Sequence, residues 1–460
     1  MRRFALPVVL LAFVGLASAC SSTSNTDSDG DAGADATPSQ DGSVIDTGTT
    51  NPGDDGGPGT DAGPTTDGST DSSVGTDTGT TDAGSDATVV DDAGTDASTD
   101  AGTDAGTDAG TDAGKDAGGP PSVQFIGRID DRDAVNGPKL AWPAVRVVAK
   151  FEGTEASVTL SHADGFSGGP SYYDVLVDGQ LSGGPIAVTG GATKYPLVSN
   201  LAMGEHTVEI YKRTEASLGV DQFRGFDFGA GKLLEPPARA TRRIEFLGES
   251  QIQGFGIESP TQVCATLADK HNARKSMQQL TATALGAEMV SATYSGKGLG
   301  RNNGAGDNRF FTTLYPLAVP DDDGTPWDFS RFVPDVVIVS LGGTDLSVPT
   351  ANLPTEPVLT ARYNAMFTQV RAKNANAIII GMVGGQIKDS FPAGAQLRTR
   401  MRTSIDKAIT QLGDAKMFRF QLPENNNGAL ETACQFHANE TLHGQWATAL
   451  TTEIRGRTGW

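Results

Sequence analysis

Residues 21 to 120 of this 460-residue chain consist almost entirely of Asp, Thr, Gly, Ala and Ser, which limits what the chain can fold into. The tract has no aromatic residue, and tandem Thr-Asp-Ala-Gly units run from Thr99 to Gly114. Such a segment buries too little apolar surface to offset its conformational entropy, so we expect it to be disordered. A fold must therefore come from residues 121 to 460, which are enough for two domains.

The negative charge of the chain is concentrated in the same tract. It holds 22 Asp against one Lys, so its net charge of −21 equals that of the whole chain, and the remainder balances at 34 acidic and 34 basic residues. Self-repulsion would keep this tether extended and soluble. The folded part lacks the net basic charge of a nucleic-acid-binding protein, so no nucleic-acid partner is expected.

The N-terminus has the pattern of an export signal. Arg2 and Arg3 precede an apolar segment too short to span a membrane, which ends in Ala17-Ser18-Ala19 before Cys20. This arrangement resembles a bacterial lipobox, which implies removal of residues 1–19 and a lipid anchor on Cys20. Ordinary signal peptidase cleavage is the alternative and would give a secreted protein. We expect an exported protein held at the bacterial outer membrane or cell surface by a tether of residues 20–121.

The chain has three cysteines. If Cys20 carries lipid, Cys264 and Cys434 remain, and in an oxidising compartment we expect them to form a disulfide. Two separately buried thiols are the alternative. The cysteines and histidines show no zinc-binding spacing, so the sequence predicts no metal and no cofactor.

The pattern of residues 122–236 indicates a β domain. Short stretches alternate between apolar and polar residues, and turn residues such as Asp178-Gly179 separate them. This pattern predicts a small antiparallel sandwich. Its function could be carbohydrate binding or simply that of a scaffold.

From residue 237 to 460 the pattern changes to alternating strands and helices. The predicted strands lie near Ile244 and at 288–294, 335–341, 377–383 and 417–420, and the predicted helices at 276–285, 360–374, 395–412 and after His443. Such alternation predicts a three-layer α/β/α domain with a parallel sheet, whose ligands lie beyond the carboxyl ends of the strands.

The stretch from Arg242 to Gly256 carries the first candidate for chemistry. An apolar run ends at Gly248-Glu249-Ser250, and a glycine-rich segment follows. We expect a strand, a tight turn that exposes the Ser250 hydroxyl, and then a helix whose N-terminus favours negative charge. The stretch resembles block I of the SGNH (GDSL-type) hydrolases, with Glu249 where Asp is usual, and the resemblance implies that Ser250 is the nucleophile. A helix-capping turn is the alternative.

The C-terminal stretch CQFHANETLH, residues 434 to 443, resembles the last SGNH block. The resemblance assigns the general base to His437 and the following Asn to Asn439, with Ala438 in place of the usual Pro. His443 is the less favoured base, because a capping or surface role suits it better.

The third member of a catalytic triad is not evident. Many SGNH hydrolases have Asp three residues before the His, and Cys434 occupies that position here. Either a backbone carbonyl orients His437, which would make a Ser–His dyad, or Glu431 or Glu424 does so.

The resemblance also indicates an oxyanion hole. Its donors would be the backbone N–H groups of Ser250 and Gly296, together with Thr344, which stands in Gly342-Gly343-Thr344-Asp345 where Asn is usual. Asn302 or Asn303 could supply the third donor instead. Losing one good donor costs about 10²–10³ in rate.

Three segments of the β domain (125–130, 140–144 and 149–154), taken with the later blocks, resemble carbohydrate esterase family 2, in which a jelly-roll domain precedes the SGNH domain. The resemblance spans residues 123 to 460 and implies a metal-free serine esterase that removes O-acetyl groups from plant polysaccharides such as xylan or glucomannan. We expect a monomer. A non-catalytic carbohydrate-binding surface lipoprotein and a lipase or thioesterase are the alternatives. Trp142, Trp327 and Trp446 are candidate sugar platforms, with core packing as the alternative.

Overall fold

The computed structural model describes residues 122–265, 268–304 and 306–460, and for residues 429 and 430 it describes the backbone alone. The expected signal peptide, the lipidation site Cys20 and the tether lie outside these residues. None of the helices in the described ranges is long and apolar enough to cross a membrane.

The N-terminal part is built from strands alone, apart from one short 3-10 turn at Ala216–Leu218. The strands are β1 Gln124–Ile126, β2 Ile129–Asp130, β3 Lys139–Leu140, β4 Arg146–Gly153, β5 Ala156–Asp164, β6 Ser171–Val177, β7 Gln180–Leu181, β8 Ile186–Val188, β9 Thr193–Val198, β10 Gly204–Lys212, β11 Gly219–Asp227 and β12 Lys232–Leu233. One sheet has the order β1-β4-β10-β6-β7, with β12 beside β4 and β8 beside β6, and the other has the order β2-β3-β11-β5-β9.

Every strand pairing in these two sheets is antiparallel. The two sheets share one apolar core, in which Val147 and Phe151 of β4 belong to the same cluster as Leu160 of β5 and Phe223 of β11. The predicted antiparallel sandwich is confirmed.

The Asp178-Gly179 pair shows how the sequence sets strand register. Both residues have positive φ (50° and 76°) and form the two-residue connection between β6 and β7. Positive φ at both central positions is the requirement of a type I′ hairpin turn, which Asp-Gly meets at low cost. The Asp178 carboxylate also accepts the backbone N–H of Thr207, which ties the turn to β10.

The C-terminal part is a parallel sheet flanked by helices. Its strands are β13 Arg242–Gly248, β14 Ala287–Thr293, β15 Val336–Ser340, β16 Ile378–Val383 and β17 Met417–Gln421. Its helices are α1 Met277–Leu285, α2 Phe311–Leu314, α3 Gly343–Leu346, α4 Glu356–Lys373, α5 Leu397–Leu412 and α6 Glu440–Thr458. The sheet order is β14-β13-β15-β16-β17, and all neighbours are parallel.

From this order we expect a ligand site between β13 and β15. The chain winds from β13 to one side and then returns past it to β15, so the strand order reverses there, and ligands of open α/β sheets bind at such a point. Central strand β15 is buried at every position, as expected for a strand covered on both faces. The predicted α/β/α arrangement is therefore confirmed.

Several predicted helix starts differ from the structure, and the helix predicted from residue 360 begins at Glu356. Turns rather than a helix follow Ser250, because Gly254 and Gly256 have φ of 83° and 57°, which a right-handed helix excludes. The last helix begins at Glu440 rather than at His443. Its N-cap is Asn439, whose side chain accepts the backbone N–H of Leu442 at 3.1 Å.

Buried ion pairs join the two parts. Arg128 of the β part donates to Glu245 of β13 at 2.6 Å, and both side chains are almost wholly buried. Arg213, which follows β10, reaches the segment after Ser250, where it pairs with Glu258 and donates to the carbonyl of His271 at 3.2 Å. The β part therefore packs directly on the elements that carry the candidate nucleophile.

Candidate active site

The candidate nucleophile lies at the carboxyl end of a buried strand. β13 is buried from Ile244 to its end at Gly248, and Ser250 follows in a turn with its side chain partly exposed. The sequence places Ser250 there because the apolar run can be buried only as a central strand, and the turn residues after it end that strand.

His437 approaches Ser250 from the loop before α6. Its Nε2 lies 2.7 Å from the Ser250 Oγ, and its Nδ1 lies 3.2 Å from the carbonyl oxygen of Cys434. A carbonyl oxygen can only accept, so Nδ1 carries the proton and Nε2 accepts the Ser250 hydroxyl proton. This is the tautomer that general-base activation of a serine requires.

The surroundings of His437 keep its ring neutral. The Phe255 ring packs against it with centroids 4.5 Å apart. Burial lowers the pKa of His437 to about 4, against the smaller raising effect of its hydrogen bond to the Cys434 carbonyl. Because the neutral imidazole is the proton acceptor, the ring is ready to act as a base at neutral pH.

The structure places a backbone carbonyl in the position of the triad acid. Glu431 accepts the side-chain amides of Asn427 and Gln445 at 2.9 and 3.1 Å, and Glu424 pairs with Arg398 at 3.1 Å. Among the described residues, no carboxylate contacts His437. The site is therefore a Ser–His pair oriented by Cys434, the first of the two alternatives, and a neutral orienter stabilises the imidazolium less than a carboxylate does.

The other histidines of the α/β part have structural roles. His443 lies in the first turn of α6, where its Nδ1 accepts the backbone N–H of Met277 at 3.1 Å, and burial lowers its pKa to about 3. His271 accepts the backbone N–H of Gly256 at 3.3 Å, and burial lowers its pKa as well. Of these rings, His437 alone has a hydrogen bond to Ser250.

Gly296 follows β14 and has a φ of 72°, a value that glycine adopts at low cost. Its carbonyl accepts the backbone N–H of Asn303 at 2.8 Å, which closes the loop between them. In the described part of the chain, the backbone N–H groups of Ser250 and Gly296 donate to no protein group. Both are therefore available to an oxyanion, and their role remains a prediction.

Thr344 has a different partner from the one predicted. Its hydroxyl donates to Glu249, and its backbone N–H donates to the same carboxylate at 3.2 Å. A threonine hydroxyl has one proton, so this contact occupies the only donor that the side chain could offer an oxyanion. Burial, reinforced by the nearby Asp345, raises the pKa of Glu249 to about 7.

Asn302 and Asn303, the two alternatives to Thr344 as third oxyanion donor, have different surroundings. The Asn302 amide donates to the carbonyls of Asp307 and Arg309 at 3.1 and 2.9 Å, so it stabilises the loop. The Asn303 side chain lies over Gly296, and its Nδ2 would be 3.5 Å from a Cβ placed there. Asn303 is thus the side-chain amide beside the second predicted oxyanion donor.

The structure shows further site residues that sequence reasoning missed. The Gln253 amide donates to the Ser295 hydroxyl at 2.7 Å and to Glu215 of the β part at 3.0 Å, so it links the nucleophile turn to the oxyanion loop. Asp345 fixes the same loop, since it accepts the backbone N–H groups of Leu299 and Gly300 at 2.7 and 2.9 Å. Nothing in the sequence pairs Glu215 with Gln253, whereas Asp345 stands directly after Thr344 in the Gly-Gly-Thr-Asp string.

The tryptophan platforms are excluded. Trp142, Trp327 and Trp446 are at most 7% exposed, which makes all three packing residues. Phe436, next to His437, is instead 47% exposed, and its carbonyl accepts the Gln386 amide at 2.5 Å.

The structure joins Cys264 to Cys434 in a disulfide, with Cα atoms 5.4 Å apart. Within the described residues, no group of three or more His, Cys, Asp or Glu side chains is arranged to hold a metal ion.

Comparisons with known proteins show which proteins this chain is similar to. The family model described as carbohydrate esterase 2 N-terminal matches residues 125–237. An acetylxylan esterase/glucomannan deacetylase of Cellvibrio japonicus is 30% identical over 276 residues, which are 56% of this chain and 73% of that protein. The cellulase/esterase CelE of Acetivibrio thermocellus is 34% identical over 340 residues, which are 74% of this chain. The match covers 40% of CelE.

A solved structure agrees with these sequence matches. The family two carbohydrate esterase from Clostridium thermocellum, in complex with cellohexaose, is similar with a TM-score of 0.67 and 33% identity. The match covers 74% of this chain and 100% of that one.

Proposed function

The chain belongs to carbohydrate esterase family 2, and we propose that it is a serine esterase that removes O-acetyl groups from plant-type polysaccharides such as xylan or glucomannan. The observation that carries the proposal is the 2.7 Å contact between the Ser250 Oγ and the Nε2 of His437, whose Nδ1 donates to a carbonyl.

The geometry supports an acyl-enzyme mechanism. The Nε2 of His437 takes the Ser250 proton as Oγ attacks the acetyl carbonyl, and the free N–H groups of Ser250 and Gly296 receive the oxyanion. As the tetrahedral intermediate collapses and the bond to the sugar oxygen breaks, the imidazolium protonates that oxygen, and the sugar leaves with a free hydroxyl. Water, deprotonated by the same ring, releases acetate and restores Ser250.

The substrate class is supported by the relatives and by one surface feature. One relative is named acetylxylan esterase/glucomannan deacetylase, and the Clostridium thermocellum structure holds cellohexaose. In this chain the exposed residue Phe436 directly precedes His437 in the sequence. An exposed aromatic ring can pack against the apolar face of a sugar, whereas a free acetyl ester would not need it.

We further propose that Cys20 carries a lipid that anchors the protein to the cell envelope, and that the acidic tract lets the catalytic part reach a bulky substrate. About 100 flexible residues have a root-mean-square span of roughly 50–60 Å. Radiolabelled palmitate should enter the wild-type protein in a bacterial host and be absent from Cys20→Ser. Equal labelling of both would contradict the anchor.

Acetate release from acetylated xylan and glucomannan, beside 4-nitrophenyl acetate hydrolysis, tests the activity. Ser250→Ala and His437→Ala should each fall to near background. Ser330→Ala and His206→Ala are the matched controls and should keep the wild-type rate, since Ser330 is exposed and the half-buried His206 hydrogen-bonds only within the β part, to Asp178 and the Ala202 carbonyl. Equal rates for the wild type and the two site variants would reject the esterase and leave the non-catalytic carbohydrate-binding protein.

Phe436→Ala separates a polysaccharide esterase from a lipase or thioesterase. We expect KM to rise for acetylated xylan and to stay unchanged for 4-nitrophenyl acetate. An unchanged KM for both substrates would remove the argument from Phe436.

A further inference from the structure

Cys434 contacts the candidate base through one atom and the nucleophile's segment through another. Its carbonyl oxygen accepts the Nδ1 proton of His437 at 3.2 Å, and its Sγ is bonded to Cys264, which lies in the segment after Ser250. The residue that orients the base is therefore covalently attached to the chain that follows the nucleophile.

The backbone around Cys434 is strained. Gln435 and Phe436 have φ of 51° and 61°, so two consecutive non-glycine residues adopt the left-handed conformation directly before His437. Such residues persist only where the surrounding structure holds them. A turn of this kind would relax if its restraints were removed.

Contacts other than the disulfide also restrain this turn, among them the hydrogen bond from the Gln386 amide to the Phe436 carbonyl. The N–H of Ala433 donates to the carbonyl of His437 at 2.7 Å, and the N–H of Gln435 donates to the carbonyl of Gln262 at 2.7 Å. The Cys434 side chain packs on Gly256, where an added Cβ would come within 2.5 Å of the Cys434 Cβ. The Gln262 and Gly256 contacts join the same two segments as the disulfide. Gln262 lies two residues before Cys264, and Gly256 lies eight residues before it.

We propose that the Cys264–Cys434 disulfide is a positioning element for catalysis, which holds the Cys434 carbonyl against His437 and thereby fixes the base on Ser250. The proposal rests on the proposed esterase function. It assigns the disulfide a role in kcat, beyond its contribution to stability.

The bond is open to reductant, because Cys264 is partly exposed although Cys434 is 2% exposed. Dithiothreitol would break the Sγ–Sγ bond with two electrons and two protons, leaving two protein thiols and the cyclic oxidised reagent. With the bond broken, the turn can relax, the carbonyl leaves Nδ1, and His437 becomes more hydrated.

The first test measures kinetics on the full chain purified in the oxidised form. Cys264→Ser leaves Cys434 and its carbonyl in place, and kcat on 4-nitrophenyl acetate should fall by roughly 10–100-fold with KM within about twofold, because a misplaced base loses much of its catalytic effect. Dithiothreitol below the melting temperature should lower wild-type kcat to the variant's level and leave the variant unchanged. Near-UV circular dichroism checks that both remain folded.

The second test does not depend on activity. Ring-labelled histidine NMR, with the His437 signal assigned from His437→Ala, should show the pKa of His437 moving from about 4 toward an ordinary histidine value on reduction. A purely stabilising bond would lower the melting temperature and leave this pKa and kcat unchanged, which would overturn the proposal. If the wild type hydrolyses no ester while the NMR shift occurs, the proposed function fails and the role in kcat fails with it, although the bond still holds His437 in its buried position.

Discussion

The carboxylate of Glu249, the residue before the nucleophile, accepts both the hydroxyl and the backbone N–H of Thr344. Glu249 directly follows β13, and Thr344 lies in the first turn of α3 after β15. Two of the positions that depart from the usual SGNH residues therefore contact each other. This pair joins the two strands that border the active site.

The raised pKa of Glu249 makes stability depend on pH. Its folded pKa of about 7 exceeds the ordinary 4.5, so the folded state disfavours ionisation of this carboxyl. The protonated Glu249 therefore contributes to the free energy of unfolding in full below about pH 4.5, and this contribution is lost as pH rises through 7. Relative to Glu249→Gln, the wild type should lose about 3 kcal/mol of unfolding free energy between pH 4 and pH 9. Urea unfolding at several pH values measures the difference. A difference independent of pH would mean that Glu249 titrates normally.

Asn303 should contribute to the oxyanion site more than Thr344 does. Its amide lies beside Gly296, whereas the Thr344 hydroxyl is donated to Glu249. We expect Asn303→Ala to lower kcat by about 10² with little change in stability, because one oxyanion donor is worth about that factor. Thr344→Val should instead lower the unfolding free energy by about 1–3 kcal/mol, since it removes a hydrogen bond to a buried carboxylate.

Asn308→Ala, an exposed position on the same loop, is the control for Asn303 and should leave kcat unchanged. The reverse pattern, with a large loss of kcat in Thr344→Val and none in Asn303→Ala, would show that Thr344 is the third oxyanion donor.

The pH–rate profile should report the low pKa of His437. Below about pH 4 the ring protonates and can no longer accept the Ser250 proton, so kcat/KM should stay level from neutral pH down to about pH 5 and fall below that. The measurement is initial rates on an ester that is stable in acid, such as acetylated xylan. An acid limb near pH 6.5 would show that the ring is hydrated as in an ordinary histidine.

Much of this fold follows from the sequence, and the reasons are physical. The β13 and β15 segments are apolar runs that only a central strand can bury, and the Asp178-Gly179 turn has one low-cost conformation. The pairing of Ser250 with His437 followed from two motifs at the carboxyl edge of the sheet. Contacts between segments far apart in the chain, such as that of Glu215 with Gln253, leave no local pattern in the sequence that would predict them. The helix predicted after Ser250 is absent because Gly254 and Gly256 adopt positive φ. A glycine permits positive φ but does not require it, so the sequence did not predict this.

The Arg128–Glu245 pair should make the two parts unfold together. Both side chains are nearly inaccessible and join the β part to β13, and Arg128 also stacks over Tyr315 with its guanidinium 4.9 Å from the ring centroid. Arg128→Ala leaves a buried carboxylate without its cation and should cost about 3–5 kcal/mol. Calorimetry should show one wild-type transition, lowered or split in the variant. Lys194→Ala, which breaks an exposed pair with Asp227, should leave the transition in place.

Glu215 gives the β part a direct connection to catalysis. Its carboxylate accepts the Gln253 amide at 3.0 Å, and the same amide donates to Ser295, next to the predicted oxyanion residue Gly296. With Glu215→Ala the amide keeps one of two partners, so the oxyanion loop is held less firmly. We expect kcat to fall severalfold on both 4-nitrophenyl acetate and acetylated xylan, with KM nearly constant, because small displacements at a reacting centre are costly. The control is Glu205→Ala, which removes an exposed β-part carboxylate paired with Lys150. If Glu215→Ala raised only the KM for xylan, the β part would act at this position by binding polysaccharide rather than by positioning the catalytic loop.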